Sequence, residues 1–283
     1  MILKLLSLLI FIAVGSIASR SFAVDLCYEL QEKKEYAKAI KECSRHLSED
    51  GWNKSITYNN RGNAYKAMGD LTHSISDYDK AIELNPGYAN AFNNRGNSYY
   101  ALGDLERAMS DFNKAVLFDP KLSNAYTNRG MVHQIKGDFE HAISDYEIAL
   151  ALSPDDEYLY ISVIIASKMI SEDRYKRALK RLKKYIRWNN SAEWIRTLSK
   201  FYLEMDGLDE KAILDEANNC KDTTEIKERL CEAYYYIAEK RFIEGNRKGA
   251  EEFYKKSLET NIYSFIEYQT SREILRMMQQ GKI

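Results

Sequence analysis

The chain has 283 residues, of which 45% are hydrophobic, and its 41 lysines and arginines nearly balance 42 aspartates and glutamates. This balance argues against a dedicated nucleic-acid-binding protein, because binding to a phosphate backbone requires an excess of positive charge.

Residues 1–23 have the pattern of a secretory signal peptide. Lys4 precedes an apolar run over 5–17, and a small-x-small cleavage site ends at Ala23. The alternative is a membrane anchor, but a span needs roughly 20 apolar residues. We therefore expect cleavage after Ala23 and an exported, periplasmic or secreted protein without a membrane-spanning segment.

Residues 24–54 are predicted to form a degenerate helical hairpin. An acidic residue shortly before Cys27 does not fit a lipobox, so we do not expect lipid anchoring. An even number of cysteines in an exported chain favours disulfides over the alternative of four buried free thiols. In register with the later hairpins, Cys27 and Cys43 face each other and are predicted to be bridged. Cys220 and Cys231 form a second local pair.

A 34-residue pattern is repeated three times over 55–156, as 55–88, 89–122 and 123–156. Glycine and proline recurring three times at one period exceed what local propensity produces. The recurring residues include Gly62, Gly96 and Gly130, Tyr58, Phe92 and Tyr126, Ala81, Ala115 and Ala149, and Pro86, Pro120 and Pro154.

Each repeat is predicted to be a pair of helices. Gly69 and Asp70 supply a turn and an N-terminal cap between them, and Pro86 ends the second helix. Small residues such as Gly62 let the two helices approach closely. One such hairpin cannot bury its apolar face alone, so the units are expected to stack into a solenoid.

This pattern resembles the tetratricopeptide repeat. The resemblance implies an all-α solenoid of helical hairpins that binds proteins or extended peptides on the concave face lined by the first helices. Carboxamides on that face can pair with a bound backbone. The candidate binding residues are Asn59, Asn60, Asn63, Asn93, Asn94, Asn97, Tyr100, Asn124 and Asn128.

Two readings stay open for Asn60, Asn94 and Asn128: contact with a peptide, or hydrogen bonds to neighbouring helices. Exposure to solvent or to a peptide is favoured for the other four asparagines of the first two repeats, which are Asn59, Asn63, Asn93 and Asn97. An arginine and an aspartate also recur in each repeat, and an intra-repeat ion pair is favoured over anion recognition. The three pairs are Arg61 and Asp77, Arg95 and Asp111, and Arg129 and Asp145.

Residues 157–283 continue with helical patterning but without the strict period. The second helix of a degenerate hairpin is basic over 174–187, and this stripe either contacts an anionic partner or is a solvated face over an apolar seam. Two helices follow, over 191–204 and 208–219. A further repeat-like hairpin covers 231–264, and a last helix over 264–278 is expected to cap the solenoid.

The order of these elements, together with 194–203, 235–240 and 263–268, resembles the NlpI-type tetratricopeptide proteins of the Gram-negative envelope. That resemblance implies a homodimeric adaptor that brings peptidoglycan hydrolases to a periplasmic protease and so regulates cell-wall growth. The missing lipobox and the cysteines depart from that family. A periplasmic chaperone or secretion-complex component that holds unfolded segments is the alternative.

The sequence does not predict an enzyme. It has no phosphate-binding glycine loop and no serine nucleophile elbow, and its histidines fall in different predicted helices without ligand spacing. We therefore predict no catalytic residue, no metal and no cofactor. The four histidines are His46, His73, His133 and His141.

Overall fold

A computed structural model of the chain describes residues 26–48, 54–188, 193–205, 207–262, 265–281 and 283. Every regular element within these ranges is an α-helix, which confirms the all-α prediction. The predicted signal peptide lies outside the described residues. No helix among those described is both long and apolar enough to cross a membrane.

The chain divides into two compact units, Met1–Leu102 and Gly103–Ile283. The described helices of unit 1 are α1 (26–32), α2 (Tyr36–Leu47), α3 (Lys54–Ala67), α4 (Leu71–Leu84) and α5 (Ala89–Ala101). Those of unit 2 are α6 (Leu105–Phe118), α7 (Ser123–Ile135), α8 (Phe139–Leu152), α9 (Glu157–Ile170), α10 (Glu172–Trp188), α11 (Glu193–Tyr202), α12 (Glu210–Ala217), α13 (Thr223–Ile243), α14 (Arg247–Glu259) and α15 (Ile266–Gln279).

The turns inside the repeats have the predicted chemistry. Gly69 and Gly137 take φ of 80° and 78°, a left-handed conformation that side chains other than glycine rarely adopt. The next residue, Asp70 or Asp138, caps the following helix by accepting a hydrogen bond from a backbone N–H three residues later. Each hairpin therefore turns at the point that the sequence predicts.

The hairpin core depends on glycine facing tyrosine. A Cβ placed on Gly62 would lie 2.7 Å from Cε1 of Tyr78, and one placed on Gly130 would lie 2.7 Å from Cε1 of Tyr146. Both tyrosines are almost fully buried. The first helix of each of these hairpins thus approaches its partner closely enough for the ring to lie against the bare backbone.

Two later elements differ from the sequence prediction. Helix α13 begins at Thr223, eight residues before the predicted start of the hairpin at 231, and its N-terminus is capped by Asp222, which accepts hydrogen bonds from two backbone N–H groups. Helix α15 does more than cap an end, because it packs against both α13 and α14 and buries polar side chains along with Ile274 and Leu275.

The cysteines form one bridge. Cys27 and Cys43 are disulfide-bonded across α1 and α2, with Cα atoms 5.7 Å apart, as predicted. The prediction that Cys220 and Cys231 are also bridged is wrong, because both are free. Cys231 lies two turns inside α13, about 12 Å along the axis from its first residue, and its sulfur lies 3.4 Å from Ser257 Oγ of α14.

Replacing Gly130 with alanine should destabilise the protein. The new methyl group would meet the Tyr146 ring and, at 3.2 Å, the Ala142 carbonyl oxygen. Overpacking costs about 1–3 kcal/mol, and the better helix propensity of alanine returns up to about 1 kcal/mol. We expect a net loss of roughly 1–2 kcal/mol in chemical denaturation. Gly87→Ala, where the nearest atom is 3.9 Å away, is the control and should be nearly neutral.

Thiol labelling of unfolded, unreduced protein should count two reactive cysteines, not four or none. Removing the bridge with Cys27→Ser and Cys43→Ser should lower the free energy of unfolding by about 3 kcal/mol, because the unfolded chain regains the freedom of a loop of this length. Cys220→Ser is the control and should leave stability unchanged. Equal stability of all three proteins would contradict the structural role of the bridge.

Candidate protein-binding surfaces

The asparagines of α3 and α5 form a chain of side-chain amides. Asn94 Nδ2 donates to Asn59 Oδ1 at 3.0 Å, which links the first helices of two successive hairpins. Longer contacts extend the chain at both ends, from Asn59 Nδ2 to Asn60 Oδ1 at 3.4 Å and from Asn93 Nδ2 to Asn94 Oδ1 at 3.5 Å. For Asn94 the structure thus shows a hydrogen bond to a neighbouring helix, which is one of the two readings left open. The contact of Asn60 is with the adjacent Asn59 of its own helix, so both readings stay open for Asn60.

The expected exposure is wrong for two of these residues. Asn59 and Asn93 are each only 5% exposed, and Tyr100 is also buried. The side-chain amides of Asn59 and Asn93 have hydrogen-bond partners within the array, as buried polar groups generally must. Asn63 and Asn97 are half-buried and keep part of their surface accessible, although Asn63 Oδ1 already accepts from Tyr78 Oη at 2.7 Å.

In unit 2, Asn124 is exposed and Asn128 is half-buried. The structure therefore retains accessible carboxamides at several of the predicted positions. Whether any of them binds a peptide stays a prediction.

The recurring arginines are held on two sides. Arg61 donates to both carboxylate oxygens of Asp77 at 2.8 and 2.7 Å, and Arg129 does the same with Asp145. These two intra-repeat pairs confirm the prediction. The guanidinium carbon of each arginine also lies over an aromatic ring, at 5.5, 5.5 and 5.4 Å for Arg61 on Tyr58, Arg95 on Phe92 and Arg129 on Tyr126.

Such doubly engaged arginines are poorly placed to bind an external anion, because they would first have to leave a ring and a carboxylate. Arg95 additionally pairs with Asp79 at 2.6 Å within unit 1. The predicted pair of Arg95 with Asp111 joins the two units and stays a prediction.

Helix α15 lies against the hairpin of α13 and α14. Its Ile274 lines a cavity of about 230 Å³ together with residues from the C-terminal halves of α7, α9 and α13. We call the surface formed by those three helix ends the first-helix face. The cavity-lining residues on that face are Gln134, Ile135, Ile165, Met169, Glu239, Phe242 and Ile243. Along the same helix, Glu273 and Arg276 reach the turn before α6, where a Cβ at Gly103 would lie 3.1 Å from both. Helix α15 thus borders this face of unit 2.

Buried carboxyl groups accompany this contact. Glu232 of α13 accepts hydrogen bonds from Tyr158 Oη at 2.8 Å and Trp194 Nε1 at 2.7 Å. Burial and the nearby Glu232 raise the pKa of Glu267 on α15, and burial raises the pKa of Glu232. Burial also raises the pKa of Glu239 to about 7, although its hydrogen bond from Tyr254 Oη at 2.6 Å opposes the shift.

The basic helix α10 presents one paired edge and one open stripe. Arg174 binds Glu140 at 2.6 Å, and Arg181 binds Glu147, so these two arginines tie α10 to α8. The predicted apolar seam is confirmed, since Ala178, Leu182 and Ile186 are buried. The remaining cations of the helix are exposed and make no ion pair with another described residue. This basic stripe consists of Lys176, Arg177, Lys180, Lys183, Lys184 and Arg187.

The fold and these surfaces define a repeat protein built from helical hairpins. The repeat itself is the tetratricopeptide repeat: a family model described as a TPR repeat matches residues 62–103, and the model described as the tetratricopeptide repeat matches 89–122 and 123–156. Proteins of this type are generally non-catalytic scaffolds, and no enzymatic family is indicated. No curated protein shows significant sequence similarity to the chain.

Several solved structures share the fold. A tetratricopeptide repeat protein from Parabacteroides merdae is 17% identical, with 93% of this chain and 99% of that chain covered and a TM-score of 0.57. TTC0263, a thermophilic TPR protein of Thermus thermophilus, is 19% identical over 66% of this chain and 100% of that one, with a TM-score of 0.54. MamA is 20% identical, with 61% of this chain and 97% of that chain covered and a TM-score of 0.51.

The buried Glu239 predicts a dependence of stability on pH. Its folded-state pKa of about 7 is above the ordinary value of 4.5, so the unfolded chain loses this proton first as the pH rises. The contribution of Glu239 to the free energy of unfolding should therefore be largest below pH 4.5 and be lost by about pH 7, on the order of 3 kcal/mol in all.

Glu239→Gln keeps an oxygen acceptor for Tyr254 but cannot ionise, so it should reduce the fall seen in urea denaturation between pH 5 and about pH 8, to which buried Glu232 and Glu267 also contribute. Exposed Glu259→Gln on α14 is the control and should retain the slope of the unmodified protein. An identical slope in both variants would show that Glu239 does not carry the dependence.

Proposed function

We propose that this protein is an exported, non-catalytic scaffold that binds protein partners in the cell envelope. The N-terminal sequence pattern supports export, and the Cys27–Cys43 disulfide favours an oxidising compartment. The tetratricopeptide repeats support the binding of proteins or peptides.

The observation that carries the proposal is the basic stripe of α10. Lys176, Lys180 and Lys184 follow one another at intervals of four residues and therefore share one side of the helix. Helix α10 is held in place by its buried apolar residues and by Arg174 and Arg181, which bind α8. The basic stripe is therefore a preformed surface. We propose that it docks an acidic protein partner, since charge complementarity both speeds and orients association.

The finer role that we propose is an adaptor in envelope proteolysis or cell-wall maintenance, which rests on the resemblance to NlpI-type proteins. In that role, one partner is a folded protease and another is a folded client such as a peptidoglycan hydrolase. A chaperone or secretion-complex component is the second candidate, and the half-buried carboxamides of Asn63 and Asn97 favour it as contacts for an unfolded backbone.

Reversing three charges of the stripe should abolish capture of the acidic partner. Lys176→Glu, Lys180→Glu and Lys184→Glu change the net charge by −6, and we expect a loss of about 10-fold or more in the acidic protein captured from envelope extract. The matched control reverses Lys211, Lys227 and Lys248, which are exposed lysines on α12, α13 and α14. The control should bind as the unmodified protein does, and binding of the unmodified protein should weaken as salt rises.

Equal losses in both charge-reversed proteins would mean that net charge rather than the stripe governs binding, and capture unaffected by either would overturn the docking proposal. The identity of the captured proteins separates the two roles. A protease together with a folded hydrolase supports the adaptor. A broad set of unfolded exported proteins, with suppression of their aggregation by the purified chain, supports the chaperone.

A further inference from the structure

Two histidines meet at the turn of the third repeat. His133 lies in the last turn of α7, and His141 lies in the first turn of α8, with Asp138 capping α8 between them. The turn through Gly137 folds α8 back, so that the two imidazole rings stack with their centroids 5.2 Å apart. The two histidines fall in separate predicted helices, so the sequence pattern alone did not reveal this cluster.

We propose that His133, Asp138 and His141 bind a divalent transition-metal ion. Asp138 Oδ2 lies 3.2 Å from His133 Nδ1 and 2.8 Å from His141 Nδ1. The ligand atoms of all three residues lie within 4.8 Å of one another. Zinc–ligand bonds of about 2.1 Å in a tetrahedron separate neighbouring ligand atoms by about 3.4 Å, so small side-chain movements are enough to admit an ion.

The donor set selects the class of metal. Two imidazole nitrogens and one carboxylate oxygen suit Zn²⁺, Ni²⁺ and Cu²⁺, whereas Mg²⁺ and Ca²⁺ prefer sets made of oxygens. Each ring coordinates through Nδ1 as the tautomer that carries its proton on Nε2. Asp138 Oδ1 can keep its contact with the backbone N–H of His141 while Oδ2 binds the ion. Three protein ligands leave a further coordination position for water.

The other repeats show that the third one is distinct. In the first repeat, Tyr65 and His73 stack with centroids 5.0 Å apart, and His73 Nδ1 lies 2.7 Å from Asp70 Oδ2. The arrangement of ring, aspartate and histidine is the same, but tyrosine takes the place of His133 and supplies no nitrogen. The second repeat has Tyr99, Asp104 and Arg107 at the corresponding positions. His133 thus adds a second imidazole nitrogen beside the capping aspartate and the histidine of the following helix, and the three side chains together form a ligand set.

The site is accessible without unfolding. The side chain of His141 is 72% exposed and that of Asp138 is 41% exposed, while His133 is held more firmly at 21%. An ion bound there would join the end of α7 to the start of α8 and would stabilise the folded hairpin by mass action.

Isothermal titration calorimetry on the untagged protein tests the proposal, with Zn²⁺ and Ni²⁺ as probes and Mg²⁺ as the negative control. We expect saturable binding of one Zn²⁺ per chain and a rise in the melting temperature with Zn²⁺. His133→Tyr, which copies the first repeat and so keeps a ring for His141 to stack on, should weaken binding at least ~10-fold and remove the rise. Asp138→Asn should weaken binding as well.

His73→Phe is the matched control and should bind like the unmodified protein. The proposal is overturned if the unmodified protein gives no heat of binding with either transition metal. It is also overturned if His133→Tyr retains the stoichiometry and affinity of the unmodified protein, or if His73→Phe loses as much affinity as His133→Tyr does.

Discussion

The structure depends on how closely two helices of one hairpin can approach. At Gly62 and Gly130 the absence of a side chain lets a tyrosine ring lie directly against the helix backbone. This contact sets the spacing within the hairpin, and the spacing in turn places the arginine of the first helix opposite the aspartate of the second. The Arg61–Asp77 and Arg129–Asp145 pairs, both bidentate, follow from that geometry. Helix packing at the density of a protein interior leaves little room for any other arrangement.

The repeats could be predicted because their determinants are local and periodic. Gly69, Asp70 and Pro86 act within a few residues of their own position, so their pattern specifies a turn, a cap and a helix end without knowledge of the rest of the chain. The Cys27–Cys43 bridge was predictable for the same reason, since it closes a single hairpin. The bridge predicted between Cys220 and Cys231 does not form. Helix α13, which carries Cys231, starts earlier than its repeat-like pattern suggests and so places Cys231 inside the helix.

What could not be predicted depends on contacts between distant residues. The Asn59–Asn94 hydrogen bond joins residues 35 positions apart, and only the structure shows that the two amides satisfy each other rather than a ligand. Helix α15 follows no period, so its packing on α13 and α14 left no signal beyond its amphipathic pattern. The histidine cluster did leave a signal: the eight-residue spacing of Tyr65 and His73 in the first repeat recurs as His133 and His141 in the third.

The position of α15 also affects what unit 2 can bind. Because α15 belongs to the same chain and follows α14 after a short connection, it would compete as a tethered segment with any external helix for the first-helix face. An external helix must therefore exceed the affinity of this tethered competitor before it can occupy the face. A ligand that bound the uncovered face with micromolar affinity would show a much weaker apparent affinity while α15 remained in place. Any ligand for this face would thus have to displace a helix whose Ile274 and Leu275 are buried in the core of unit 2.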